Sequence, residues 1–135
     1  ESLLNLALVL QRMGQYDAAE GLYLKALAAR EKAFSPGDPR LAELYNNLAG
    51  LYAGIDKLDE AEEYYRRALA VQEAALGPEA PEIAVALNNL AFHLSSKGKY
   101  AEAEPLYQKA LAIVNKRFYV DDLKAGTVVQ KAVAA

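Results

Sequence analysis

The chain has no cysteine and no tryptophan, one methionine and one histidine, His93. Without cysteine there is no disulfide framework, no thiolate nucleophile and no sulfur-ligated metal site. That lack fits a reducing cytoplasm, which is the expected location, and fits an undecorated extracellular module as well. His93 has no second histidine or cysteine with which to form a metal site or a nucleophile pair. Ser95-Ser96 has no base beside it, and no glycine-rich phosphate loop occurs. No enzymatic activity, cofactor or metal is therefore expected. Long apolar runs are missing too, since none approaches the ~20 residues that cross a bilayer, and membrane insertion is not expected. The chain starts Glu1-Ser2-Leu3-Leu4, with neither an initiator methionine nor a basic leader, and reads as excised from a longer protein.

Charge of one sign is scarce. The net charge is −3, and acids alternate with bases, whereas binding a phosphate backbone takes a clustered positive face. Arg66-Arg67 and Lys116-Arg117 come nearest to such a cluster. Glu62 and Glu63 lie one helical turn before the first pair, so i,i+4 ion pairs on a solvated helix face are expected there rather than a nucleic-acid site.

What is present is repetition. Asn-Leu-Ala occurs at 5–7, 47–49 and 89–91, a step of 42 residues. The same step links Ala19, Ala61 and Ala103, then Glu20, Glu62 and Glu104, then Tyr23, Tyr65 and Tyr107, and the Ala-Leu pairs beginning at Ala26, Ala68 and Ala110. One unit of this size cannot bury its apolar face alone and is stable only when stacked on neighbours. Hydrophobic residues make up 53% of the chain and aromatic ones 9%, which suits helices packed through alanine and leucine.

Each unit reads as two helices. In the third, Ile83, Leu87, Leu90, Ala91 and Leu94 have the spacing of one helical face, with Pro81 suited to the first turn and Gly98 to the stop. This is helix A. Helix B is expected from about Tyr100 to Arg117, with Ala103, Leu106, Tyr107, Ala110, Leu111 and Val114 along its apolar stripe. Gly14 ends helix A of the first unit, and Asp56 stands in that slot in the second, where Asn/Asp turn chemistry replaces glycine. The breakers Ser35-Pro36-Gly37-Asp38-Pro39 and Gly77-Pro78-Glu79-Ala80-Pro81 separate the units. After the third unit no proline recurs: Val120 and Leu123 hold those positions. Val129, Ala132 and Val133 retain the apolar register of a helix A, while Gln130 and Lys131 replace the asparagines. Residues 119–135 are thus expected to form a C-terminal capping helix or the degenerate start of a fourth repeat, and Lys124, Gln130 and Lys131 supply the polar surface of a cap.

These residues resemble the tetratricopeptide repeat, in the longer form similar to that of kinesin light chains. The helix-A slots of that family map onto Leu3, Leu6, Ala7 and Leu10, then Tyr45, Leu48, Ala49 and Tyr52, then Leu87, Leu90, Ala91 and Leu94. Gly14 and Gly98 fill the turn slot and Tyr16 and Tyr100 the following aromatic, while Asp56-Lys57-Leu58 departs from both. The resemblance covers residues 1–118 and implies an all-α solenoid, a right-handed superhelix of three repeats at about 1–38, 39–80 and 81–118. It also implies a protein-binding scaffold whose concave groove is lined by the A helices and takes a peptide or helical segment of a partner. Stacking of the solenoid ends on other copies, or on further repeats of a larger multidomain protein, is the alternative role.

On a helix advancing ~100° per residue, Asn88, Asn89, Phe92 and Ser95 lie roughly 80° to 200° from the core slots. In resembling proteins that surface faces the groove, where an asparagine amide can both donate to and accept from a peptide backbone. The candidate binding residues are Asn47 and Asn89, then Asn5, Asn46 and Asn88, with Phe92, Leu8 and Arg12. Leu4, Gln11, Gly50, Ala53, Gly54, Ser95 and Ser96 share the face. Few of these are charged, which argues against a strongly acidic ligand. Gly50 and Ala53 leave room beside Leu8 and Phe92 for an apolar anchor. The plainer reading is that the asparagines tie helices together or face water, and that Phe92 packs on a helix absent from this chain.

Overall fold

The computed structural model describes residues 2–125, with side chains over residues 3–116. Six α-helices form three hairpins: α1 (Ser2–Arg12) with α2 (Tyr16–Ala33), α3 (Ala42–Gly54) with α4 (Leu58–Leu76), and α5 (Pro81–Ser96) with α6 (Tyr100–Ala125). A turn of 3-10 helix, Pro39–Leu41, leads into α3. The main contacts run between chain neighbours, within each hairpin and then through α2 with α3 and α4 with α5. This is the all-α stack of three helix-turn-helix repeats expected from the 42-residue period.

Local chemistry sets the hairpins. Gly14 and Gly98 have φ of +81°, and Asp56, in the same slot, is held at φ +66°. Beyond them the amides of Gln15, Lys57 and Lys99 donate to Leu10, Tyr52 and Leu94 carbonyls at 2.9, 2.8 and 2.8 Å. Each hydrogen bond closes five residues back, the helix-stop geometry that a left-handed residue permits. Between repeats, Asp38 accepts from the Arg40 amide at 2.9 Å ahead of Pro39, and Pro81 opens α5. Both prolines sit where the helix needs no donor.

Ala7, Ala49 and Ala91 on the A helices and Ala19, Ala61 and Ala103 on the B helices are essentially inaccessible, so small residues at matched positions let each hairpin close tightly. Leu48 and Leu90 are likewise fully buried. Leu6, expected in the core by the same register, is 49% exposed, because its counterparts pack on a preceding helix B and no helix precedes α1 among the described residues. Among the described residues the stripe of α6 is only partly core: Tyr107, Leu111 and Val114 are exposed while Ala103 and Ala110 are buried.

Helix α6 does not stop near Arg117 but continues to Ala125, since no glycine or proline stands where the earlier repeats turn. Residues 119–125 are therefore continuous with helix B, and residues 126–135, on which the expected cap depends, lie outside the described residues. Gly98→Ala should destabilise the protein by about 1–2 kcal/mol, the cost of a Cβ in the left-handed region. Asp56→Gly should relieve strain and raise the urea midpoint slightly. Equal midpoints for the two variants would count against this account of the turns.

Candidate functional site

Burial on the A helices leaves one stripe open. In α3 the buried set Ala42, Leu44, Tyr45, Leu48, Ala49, Leu51 and Tyr52 occupies most of the circumference, and Glu43, Asn47, Gly50 and Gly54 remain outside it. In α5 Val85, Asn88, Asn89, Phe92 and Ser96 are outside the buried set, with Ser95 half-buried, and in α1 the positions equivalent to Asn89, Phe92 and Ser96 carry Asn5, Leu8 and Arg12. A 3- to 4-residue spacing makes each set a stripe, and the 42-residue step places the stripes at equivalent positions along the stack.

Asn47 and Asn89 are half-buried, and Asn5 and Asn88 exposed. Among the described residues no protein group hydrogen-bonds any of these four amides, which leaves donors and acceptors available. Phe92 is 68% exposed. A Cβ built on Gly50 or Gly54 would meet nothing within 4 Å, so α3 offers bare backbone at the repeat positions that carry Phe92 and Ser96 on α5. Arg12 is exposed at the end of α1. Burial raises the pKa of the neighbouring Tyr23 phenol, and the Arg12 charge opposes that.

Other residues expected on this face are committed elsewhere. Leu4 is 5% exposed and belongs to the core. Leu8 is half-buried and packs against that core, which makes it floor rather than a projecting anchor. The Gln11 side-chain oxygen accepts from the Tyr23 hydroxyl at 2.8 Å. Asn46 has its Oδ1 buried with no partner. Leu4, Asn46 and Asn88 hold one repeat position, covered in the two repeats that have a successor and open in the third.

The recurrent glutamates do more than sit at the positive end of a helix dipole. Glu20 accepts from the Tyr52 hydroxyl at 2.6 Å, across the joint between α2 and α3; burial first, then that bond, raises the Tyr52 pKa. Glu62 accepts from Lys97 at 2.7 Å and from Arg66 at 2.9 Å, with Lys99 at 3.4 Å, and Lys97 also reaches Asp59 at 2.7 Å. These groups rim an open cavity of about 550 Å³. Arg66 and Arg67 make the expected i,i+4 pairs with Glu62 and Glu63. His93, 3% exposed, places Nε2 2.7 Å from the Leu58 carbonyl; a carbonyl only accepts, so this nitrogen carries the proton. Its ring lies 5.3 Å from that of Tyr65, within the joint of α4 and α5. The available signal was that Met13, Ile55 and Lys97 share one repeat position: a lysine replacing apolar residues points to a local acid.

Among the described residues no group of three His, Cys, Asp or Glu side chains is placed to hold a metal ion, and no helix is long and apolar enough to cross a membrane. The family model for the tetratricopeptide repeat matches residues 1–74 and again 40–116. The chain belongs to the tetratricopeptide repeat family. Such repeats are generally protein-interaction modules and typically non-catalytic, which implies protein partners in general. Among solved structures, this tetratricopeptide chain is similar to BtubC (BKLC) from P. vanneervenii, at 26% identity over 85% of this chain and 46% of that one, with a TM-score of 0.78. It is similar also to a putative kinesin light chain from Podosopora anserina with nearly identical TPR-like repeats, at 27% identity, 86% and 55% coverage and a TM-score of 0.75. The chain spans about half the length of these relatives. Aspartyl phosphate phosphatase F from Bacillus subtilis, at 16% identity and a TM-score of 0.71 over 90% of this chain and 31% of that one, shares the fold alone. No curated protein matches the chain in sequence.

Burial raises the Glu62 pKa, but the hydrogen bonds from Lys97 and Arg66 outweigh it and bring the carboxyl from 4.5 to about 2. A carboxyl lowered on folding contributes its stabilisation fully above its unfolded value and loses it as pH falls through the folded one. The joint between α4 and α5 should therefore weaken from about pH 4.5 down to about pH 2. Glu62→Gln should lower stability at neutral pH and flatten the pH dependence across that window, as read from urea unfolding at a series of pH values. An unchanged slope would remove Glu62 from the acid response.

Proposed function

We propose that this chain holds a peptide or helical segment of a partner protein on the stripe of its A helices, in a concave groove. The observation that carries this reading is the row of repeat-equivalent amides, Asn5, Asn47 and Asn89, without a hydrogen-bond partner among the described residues, on the stripe that also holds exposed Phe92 and bare backbone at Gly50 and Gly54. Amides pair with a main chain whatever its sequence, so they supply register. An exposed ring supplies an apolar contact. Arg12 is the one cation among these candidates, and Lys97 and Lys99 are engaged by Glu62; an uncharged, partly apolar segment suits this surface better than an acidic motif.

The ligand is obtained by selecting displayed peptides on the immobilised chain, and the variants are then compared by titration calorimetry. The double substitution Asn47→Ala and Asn89→Ala should weaken the selected peptide by about 1–3 kcal/mol, the cost of leaving ligand polar groups unpaired, with helicity unchanged. Phe92→Ala should weaken it as well. Unchanged affinity in both variants would place the site on another face.

A further inference from the structure

The open cavity beside Glu62, about 550 Å³ in volume, lies between α4 and the turn that joins α5 to α6. None of its lining residues belongs to the candidate binding stripe. Four cations line it, Arg66, Arg67, Lys97 and Lys99, against three acids, Asp59, Glu62 and Glu63. The lining therefore carries one positive charge in excess, in a chain whose net charge is −3. Those charges are held unequally. Glu62, with a side chain 16% exposed, is met by Lys97 at 2.7 Å, Arg66 at 2.9 Å and Lys99 at 3.4 Å. Lys97 has a second close partner in Asp59 at 2.7 Å, and Arg67 pairs with Glu63 at 3.3 Å. Arg66 and Lys99 share a more distant one: Glu102 of α6, outside the lining, stands 3.5 Å from the first and 4.0 Å from the second. A charge-assisted hydrogen bond runs at about 2.7–2.9 Å, so Glu102 balances these cations without binding either tightly. Its side chain is 54% exposed, and an exposed pair of this kind contributes little and is screened by salt.

We propose that Arg66 and Lys99 bind the phosphate group of a small organic phosphate, and that the Glu102 carboxylate stands in for that group. This does not rest on the groove reading. Two features select the ligand. Arg66 offers a planar fork of donors and Lys99 a rotating ammonium, and a tetrahedral dianion has oxygens enough to accept from both, whereas the Glu102 carboxylate comes close to neither. The cavity is also larger than the ion requires, within the range of about 300–1,000 Å³ usual for small-ligand sites. Ala70 and the methylene stems of Arg66 and Arg67 line it as well, which suits an apolar body attached to the phosphate.

Glu62 stays in place when the phosphate enters, since Lys97 holds it from a side chain that is 11% exposed, and it orients both Arg66 and Lys99 toward the ligand. Only Glu102 has to swing away, at the small cost of a loose surface pair. Arg66 belongs to the second repeat and Lys99 to the third, so the ligand ties the two repeats together. Binding therefore stabilises the joint between α4 and α5 in proportion to occupancy.

Amide NMR titrations of the whole chain test this, with inorganic phosphate and phenyl phosphate as probes at neutral pH and constant ionic strength, and chloride as the reference anion. Both probes should shift the amides from Lys97 to Glu102 and around Arg66 and leave those of Asn47 and Asn89 unmoved, the ester binding several-fold tighter than the ion. Lys99→Ala changes an exposed side chain, so it should keep full helicity by circular dichroism and weaken both probes several-fold. Arg66→Gln is the second variant should the first fail to fold. Glu102→Gln should bind both probes several-fold tighter than the wild type, because the stand-in is gone. Glu79→Gln removes the same charge from a different pair, with Lys116 at 2.6 Å, and should bind as the wild type does. Phosphate shifts no larger than those of chloride would overturn the proposal, and so would unchanged binding in Lys99→Ala. A gain in Glu79→Gln equal to that in Glu102→Gln would overturn it too, marking a response to net charge and an adventitious ion only. An ester no tighter than the ion would overturn the assignment of an organic phosphate.

Discussion

Everything in this molecule depends on the packing of a helix B against the helix A that follows it. A single hairpin exposes apolar surface on both sides, and no central core exists to absorb it. Burial therefore comes in instalments, one joint at a time, and the exposure of any side chain depends on whether its repeat has a neighbour. Leu6 and Leu48 occupy the same repeat position, and one is half-exposed while the other is sealed. Position in the stack, rather than residue type, makes the difference.

The two internal joints are built with different chemistry on the same frame. The first has Leu51 and Ile55 in its apolar cluster, a hydrogen bond from Tyr52 to Glu20, and Arg30 reaching the Arg40 carbonyl and Glu43. The second carries a histidine bound to a backbone carbonyl and a lysine shared between two acids. A half-buried lysine with two carboxylates holds together because each charge is met by hydrogen bonds, and removing one partner would leave the others uncompensated. Such differences give each joint a chemical identity, so that the hairpins stack in one order although their backbones are alike.

The candidate binding stripe is defined by omission. The A helices are buried nearly all round, so what remains available on each is narrow, and it is lined with amides, glycine and one ring. Two glycines on α3 take side chains away from the middle of that surface, and the cations near its edge are held by acids at the second joint. Membership of the tetratricopeptide repeat family implies protein partners in general; the proposed use of the stripe rests on amides and one ring rather than on charge.

The 42-residue step, the alternation of helices A and B, the glycine stops and the small residues at the hairpin crossings were all legible in the sequence, because each rests on local conformational preference or on periodicity. Asp56 was readable as a stand-in for glycine for the same reason. The fate of individual side chains was not. Helical angle alone placed Leu4 and Gln11 on the open face, but Leu4 is taken into the core and Gln11 by the Tyr23 hydroxyl. The glutamates looked like dipole partners, and tertiary packing brought Tyr52 and Lys97 to them from residues more than thirty positions away. Periodicity determines which residues share a face of one helix; only the placement of the neighbouring helix decides which of them still meets water.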